Sequence, residues 1–87
     1  EKDMIKKTIT VELESGLEAR PIAMLVQLAS QFASSIYLES ENKKVNAKSI
    51  MGMMTMALKN GTKVTVLADG EDERAAVTGI ESYLTNQ

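Results

Sequence analysis

Between Ile5 and Leu13 the odd positions are Ile5, Lys7, Ile9, Val11 and Leu13, while Thr8, Thr10 and Glu12 occupy the alternate set. A period of two built on β-branched residues predicts a half-buried strand over this stretch. Ser15-Gly16 interrupts it, and Pro21 sits where a first helical turn tolerates a missing amide. Ile22, Leu25, Val26, Ala29 and Ala33 then fall on one stripe, with Gln27, Ser30 and Gln31 off it. That spacing predicts an amphipathic helix from Ala19 to Phe32.

Ser34-Ser35 closes the helix, and Ile36 and Leu38 alternate with Tyr37 and Glu39 before the polar turn Ser40-Glu41-Asn42-Lys43. A short strand at Lys44-Val45-Asn46 completes a hairpin. Ser49 precedes Ile50, Met53, Met54, Ala57 and Leu58 at helical spacing, with Asn60-Gly61 as the stop. Val64, Val66 and Ala68 alternate with Lys63, Thr65 and Asp69 in a last strand. Gly70-Glu71-Asp72-Glu73 then opens a helix carrying Ala76, Val77, Ile80 and Leu84. The order βαββαβα, without strict βα alternation, implies an α+β domain of two layers: an antiparallel sheet with its helices on one face.

Composition narrows the chemistry. Eighty-seven residues, 44% apolar and 25% charged, suit one small globular domain, expected over 4–87, with Glu1-Lys2-Asp3 preceding Met4 as a candidate native start. With no Trp, one Phe and six Met, the interior is aliphatic and methionine-rich. The sequence contains neither His nor Cys, which excludes disulfides, zinc-thiolate sites and the usual transition-metal ligands, so no metal or cofactor is expected. A net charge of -2 provides no field toward nucleic acid or an anionic membrane, and neither is an expected partner. No apolar run approaches the roughly 20 residues of a membrane span, and a cytoplasmic location is the default expectation.

The run Gly16-Leu17-Glu18-Ala19-Arg20-Pro21 resembles the active-site segment of HPr, the phosphocarrier of the sugar phosphotransferase system, with Glu18 at the position of the phospho-accepting histidine. A second run, Asn46-Ala47-Lys48-Ser49-Ile50-Met51-Gly52, resembles the regulatory serine site of Gram-positive HPr proteins. The element order also matches the fold this family implies, a four-stranded antiparallel sheet covered on one face by three helices. A replaced histidine beside a retained serine segment is similar to the catabolite-repression branch of bacilli (Crh). There the replacing residue is described as glutamine, so Glu18 is a departure.

The resemblance implies a regulatory protein that is not an enzyme. Ser49 would be phosphorylated by HPr kinase/phosphorylase, and the product would act as corepressor of a LacI-type catabolite control protein. It further implies Arg20, Lys48, Ile50, Met51 and Met54 as partner-binding residues. Several have a plainer reading. Ser49 is a natural N-cap, a role compatible with modification because a capping hydroxyl already faces the amides a phosphate would use. Helical spacing groups Ile50 with Met53, Met54 and Leu58 and leaves Met51 pointing elsewhere, as an exposed contact or the cover of a neighbouring edge. Arg20 opposes the dipole of its helix, and Glu18 suits the same helix start. The alternative function is a phosphotransferase carrier that uses Glu18 as acyl-phosphate acceptor. The resemblance also implies that the first strand lies at a sheet edge, and with the short joint Glu14-Ser15-Gly16 after it, monomer and strand-exchanged homodimer are both open.

Overall fold

The computed structural model describes residues 4–12, 19–41, 43–56 and 61–85, with the backbone alone described at 19–21. The elements are β1 (Ile5–Thr10), α1 (Ala19–Ser30), β2 (Ser35–Ser40), β3 (Lys43–Asn46), α2 (Ile50–Met54), β4 (Lys63–Asp69) and α3 (Glu73–Thr85). The order is the expected βαββαβα. The strands form one antiparallel sheet in the order β1-β4-β2-β3, so β1 and β3 are the edges.

Cross-strand partners share a face of a sheet, and the register therefore sorts the side chains. Ile5 lies opposite Ala68, Ile9 opposite Val64, and Leu38 and Ile36 opposite Val66 and Ala68. This set faces the helices and is buried except for the half-buried Ile5. Ile22, Leu25 and Ala29 of α1, Met53 of α2, and Ala76, Val77, Ile80 and Leu84 of α3 close the core from the other side. α3 packs on β1 and β4, α1 lies against α2 and α3, and α2 rests on β3.

Lys7 breaks the apolar alternation of β1, and the fold explains why. Its register partner Val66 puts it on the helix side, at the sheet edge, where its ammonium reaches Glu81 of α3 at 2.8 Å. The opposite face is polar: Thr8 meets Thr65 hydroxyl to hydroxyl at 3.1 Å, and the Lys44 ammonium lies 5.0 Å from the Tyr37 ring centre. Leu67 is the exception there, buried on the helix-free face with Lys6 and Tyr37 on either side in register. Long side chains cover apolar surface while their polar ends stay in water.

Several boundaries differ from expectation. Regular strand β1 stops at Thr10. Val11 N–H still reaches the Thr62 carbonyl, but Glu12 N–H turns to the carbonyl of Leu84 at 2.8 Å and leads the chain toward the end of α3. Helix α1 ends at Ser30, and Gln31 and Phe32 continue it only as a tighter turn, bonding to the carbonyls of Leu28 and Ala29. Ala33 is exposed, not on the buried stripe, because its N–H is drawn to Asp72. Leu13, the Glu14-Ser15-Gly16 joint, Glu18, Asn42, Ala57, Leu58 and Asn60 lie outside the described residues. No helix among the described residues is long and apolar enough to cross a membrane.

Candidate functional site

The turn from β3 into α2 is built from local hydrogen bonds. Asn46 accepts the Lys48 N–H on its side-chain Oδ1 at 2.8 Å and the Ser49 N–H on its carbonyl at 3.0 Å, a turn that asparagine favours. Ala47 is fully buried, and its N–H donates to the Ile36 carbonyl of β2 at 2.9 Å. The turn is thereby pinned to the sheet on one side.

Lys48 pins it on the other. Its Nζ donates to the Phe32 carbonyl at 2.7 Å in a partly buried bond, putting a cation at the carbonyl-rich end of α1. The partner-binding role expected of Lys48 therefore meets a structural one. Sequence spacing held no sign of this contact, because it joins residues 16 positions apart.

Ser49 follows in extended geometry (φ -106, ψ 112), and its Oγ accepts the Gly52 N–H at 3.2 Å. Its carbonyl accepts the Met53 N–H at 2.9 Å and starts α2. This is the N-cap arrangement the sequence predicts. No acidic side chain stands in the first turn of α2. A Cβ at Gly52 would stand 3.4 Å from Oγ, in ordinary contact with the hydroxyl. Ser49 is half-buried, and a phosphoryl group on its Oγ would stand beside the Gly52 amide.

The α2 residues correct one expectation. Ile50 and Met54 do not share the buried face with Met53; they are exposed together with Met51. In a helix of five residues only Met53 reaches the core, and its neighbours on either side remain outside. The structure thus assembles Ser49, Ile50, Met51 and Met54 on one short element with three large apolar side chains in solvent. Arg20 lies in the first turn of α1 by its backbone, its side chain outside the described set, as Glu18 is entirely.

A second polar cluster has no counterpart in the sequence pattern. The Asp72 carboxylate accepts the N–H of Ala33 at 2.8 Å, the N–H of Ser34 at 2.9 Å and the Ser34 hydroxyl. The Ser34 hydroxyl first, and the Ala33 N–H after it, hold the Asp72 carboxyl below the usual carboxylate range. Three donors fixing one carboxylate is a structural clamp, and nothing in local spacing joins residues 34 and 72.

The sequence profile of the PTS HPr component phosphorylation site family matches residues 5–86. The chain belongs to the HPr family. Among HPr-like relatives, the protein Crh of Bacillus subtilis is 46% identical over 84 residues, covering 97% of this chain and 99% of that one. The Crh of Halalkalibacterium halodurans is 42% identical over 84 residues, covering 97% and 100%. The crystal structure of the phosphocarrier HPr of Bacillus anthracis superposes with a TM-score of 0.90 at 41% identity, covering 93% of this chain and 96% of its own. A crystal structure of B. subtilis Crh, described as a swapped-domain dimer, superposes at 0.76 with 46% identity, covering 95% of each chain.

Proposed function

We propose that this HPr-family chain is a regulatory phosphoprotein, modified on Ser49 by HPr kinase/phosphorylase and then acting as corepressor of a LacI-type catabolite control protein. The observation that carries the reading is the Ser49 hydroxyl held at 3.2 Å from the Gly52 amide, with exposed Ile50 and Met51 directly after it. Phosphorylation adds about -1.5 to -2 charge at a place whose nearest fixed dipoles are positive. Ile50, Met51 and Met54 are the apolar contact that a partner buries, and Arg20 supplies a cation for the acidic or phosphorylated edge of the interface. A switch of this kind needs an acceptor that is not sealed in the core, as the half-buried Ser49 is not, a surface whose affinity changes with charge, and no catalytic group of its own.

The chain has no histidine anywhere, so a phosphohistidine relay through it is impossible. Purified protein given ATP and an HPr kinase/phosphorylase will take up one phosphoryl group by intact mass, and Ser49→Ala will take up none. The phosphorylated form will bind the repressor and the unmodified form will not. Absence of uptake, or uptake by Ser49→Ala, overturns the reading.

Strand exchange is the second reading, favoured by the place of β1 at a sheet edge with β4 as its one strand neighbour. In a dimer of this chain β1 would pair with β4 of the second copy in the same register. Sedimentation at two concentrations separates this from a monomer.

A further inference from the structure

The six methionines of this chain divide sharply by exposure. Met53 and Met56 are 1% and 4% exposed and belong to the core, whereas Met51 is 78%, Met54 53% and Met24 52% exposed. Met51 and Met54 are three positions apart on α2, which sets them on neighbouring parts of one helix surface. Oxidants that act by two-electron transfer prefer thiolates and then thioethers, and this chain has no cysteine and no tryptophan to intercept them. The thioethers are therefore its principal target, and the most exposed one lies two residues after Ser49.

We propose that Met51 and Met54 form a reversible oxidation site, taking peroxide-class oxidants, that switches off docking at the Ser49 surface; the inference rests on the function proposed above. The sulfur lone pair attacks one peroxide oxygen, the O–O bond breaks, a sulfur–oxygen bond forms, and the departing hydroxide takes up the proton to leave as water. Sulfur loses two electrons and the peroxide gains them. Methionine sulfoxide reductases return the thioether with two thiols as reductant, releasing water and a disulfide. The oxidised side chain is polar and chiral, and a partner pocket shaped for a thioether would have to bury an unpaired acceptor. Met53, buried beneath, is spared, so the fold survives the modification.

The test uses the full chain carrying Met4→Leu and Met24→Leu, which leaves Met51 and Met54 as the exposed thioethers of the described residues. Hydrogen peroxide is titrated and each methionine followed by peptide mass mapping. Met51 and Met54 will reach half oxidation at a peroxide dose at least about tenfold below Met53 and Met56, with the circular dichroism spectrum unchanged. The KM for Ser49 phosphorylation by HPr kinase/phosphorylase will rise about tenfold on oxidation, as expected for one lost apolar anchor, and fall back after reductase treatment. Further substitution with Met51→Leu and Met54→Leu will, whatever its starting KM, give the same value before and after peroxide. Equal oxidation of buried and exposed methionines, or an unchanged KM after oxidation of Met51 and Met54, overturns the proposal. Failure of the untreated protein to accept phosphate is seen before any peroxide is added, and overturns the functional reading and the switch together.

Discussion

Ser34 donates both its backbone N–H and its hydroxyl to the carboxylate of Asp72, 38 positions further along the chain. With the Ala33 N–H on the other oxygen, this fastens the corner between α1 and β2 to the turn that starts α3. The clamp adds to the ladder pairing of Ser35 with Asp69 directly beside it.

The clamp makes stability depend on acid. Asp72 titrates below its ordinary value because the ionised form accepts these hydrogen bonds, so its folded value lies under its unfolded one. Its stabilising effect is fully present above the unfolded value of about 3.9 and is lost as pH falls through the folded value. Thermal melts between about pH 2 and 7 will show the midpoint falling below about pH 4. Asp72→Asn will lower the midpoint at neutral pH and flatten that acid limb. An equally steep limb in the variant would assign the effect to other carboxylates.

Gly70 stands against the same serine. A Cβ at this position would lie 2.5 Å from Ser34 Oγ and 2.7 Å from Ser34 Cα, at a φ of +157. A rotamer change could move the hydroxyl aside but not the backbone of Ser34. Gly70→Ala will lose about 1–3 kcal/mol in urea unfolding, and a Ser34→Gly background will recover only part of it.

Ser49→Ala removes the cap of α2 and leaves the Gly52 amide unpaired, which will cost about 1 kcal/mol in the same assay. Ser49→Asp keeps an acceptor at the cap and will fold with nearly unchanged stability. Neither variant will accept phosphate.

Lys48→Met keeps the aliphatic stem and removes the ammonium from the Phe32 carbonyl. The expected loss is about 1 kcal/mol, with faster amide exchange at the C-terminal end of α1. Lys48→Arg, which retains a donor, will recover part of both.

Met53 and Met51 separate packing from docking. Met53→Ala opens a core cavity and will cost about 2–5 kcal/mol. Met51→Ala will stay within about 0.5 kcal/mol of the parent in stability while weakening binding of the phosphorylated protein to the repressor.

Element order and core were legible because the periodicities of β4 and α3 are nearly pure: Val64, Val66 and Ala68, then Ala76, Val77, Ile80 and Leu84, all buried. Ser49 was legible for the same local reason, a cap immediately before an apolar run. The ends of β1 and α1 differ from the pattern because long-range bonds, Glu12 to Leu84 and Ala33 to Asp72, override it. The exposure of Ile50 and Met54 is hidden from the sequence because helical spacing assumes a helix long enough to present a full face, and α2 has five residues. Lys48 and Asp72 find their partners through tertiary proximity, which spacing in one sequence does not encode.

The pairing of residues 5–10 with residues 63–68 has a consequence during synthesis. β1 is the first strand to leave the ribosome and β4 the last, so β1 waits with both edges unpaired while the middle of the domain is made. Its pairing with β4 spans nearly the whole chain, the kind of non-local step that slows folding. Under the strand-exchange reading, two nascent copies standing close together, as on one polysome, would offer each waiting strand a choice of partner.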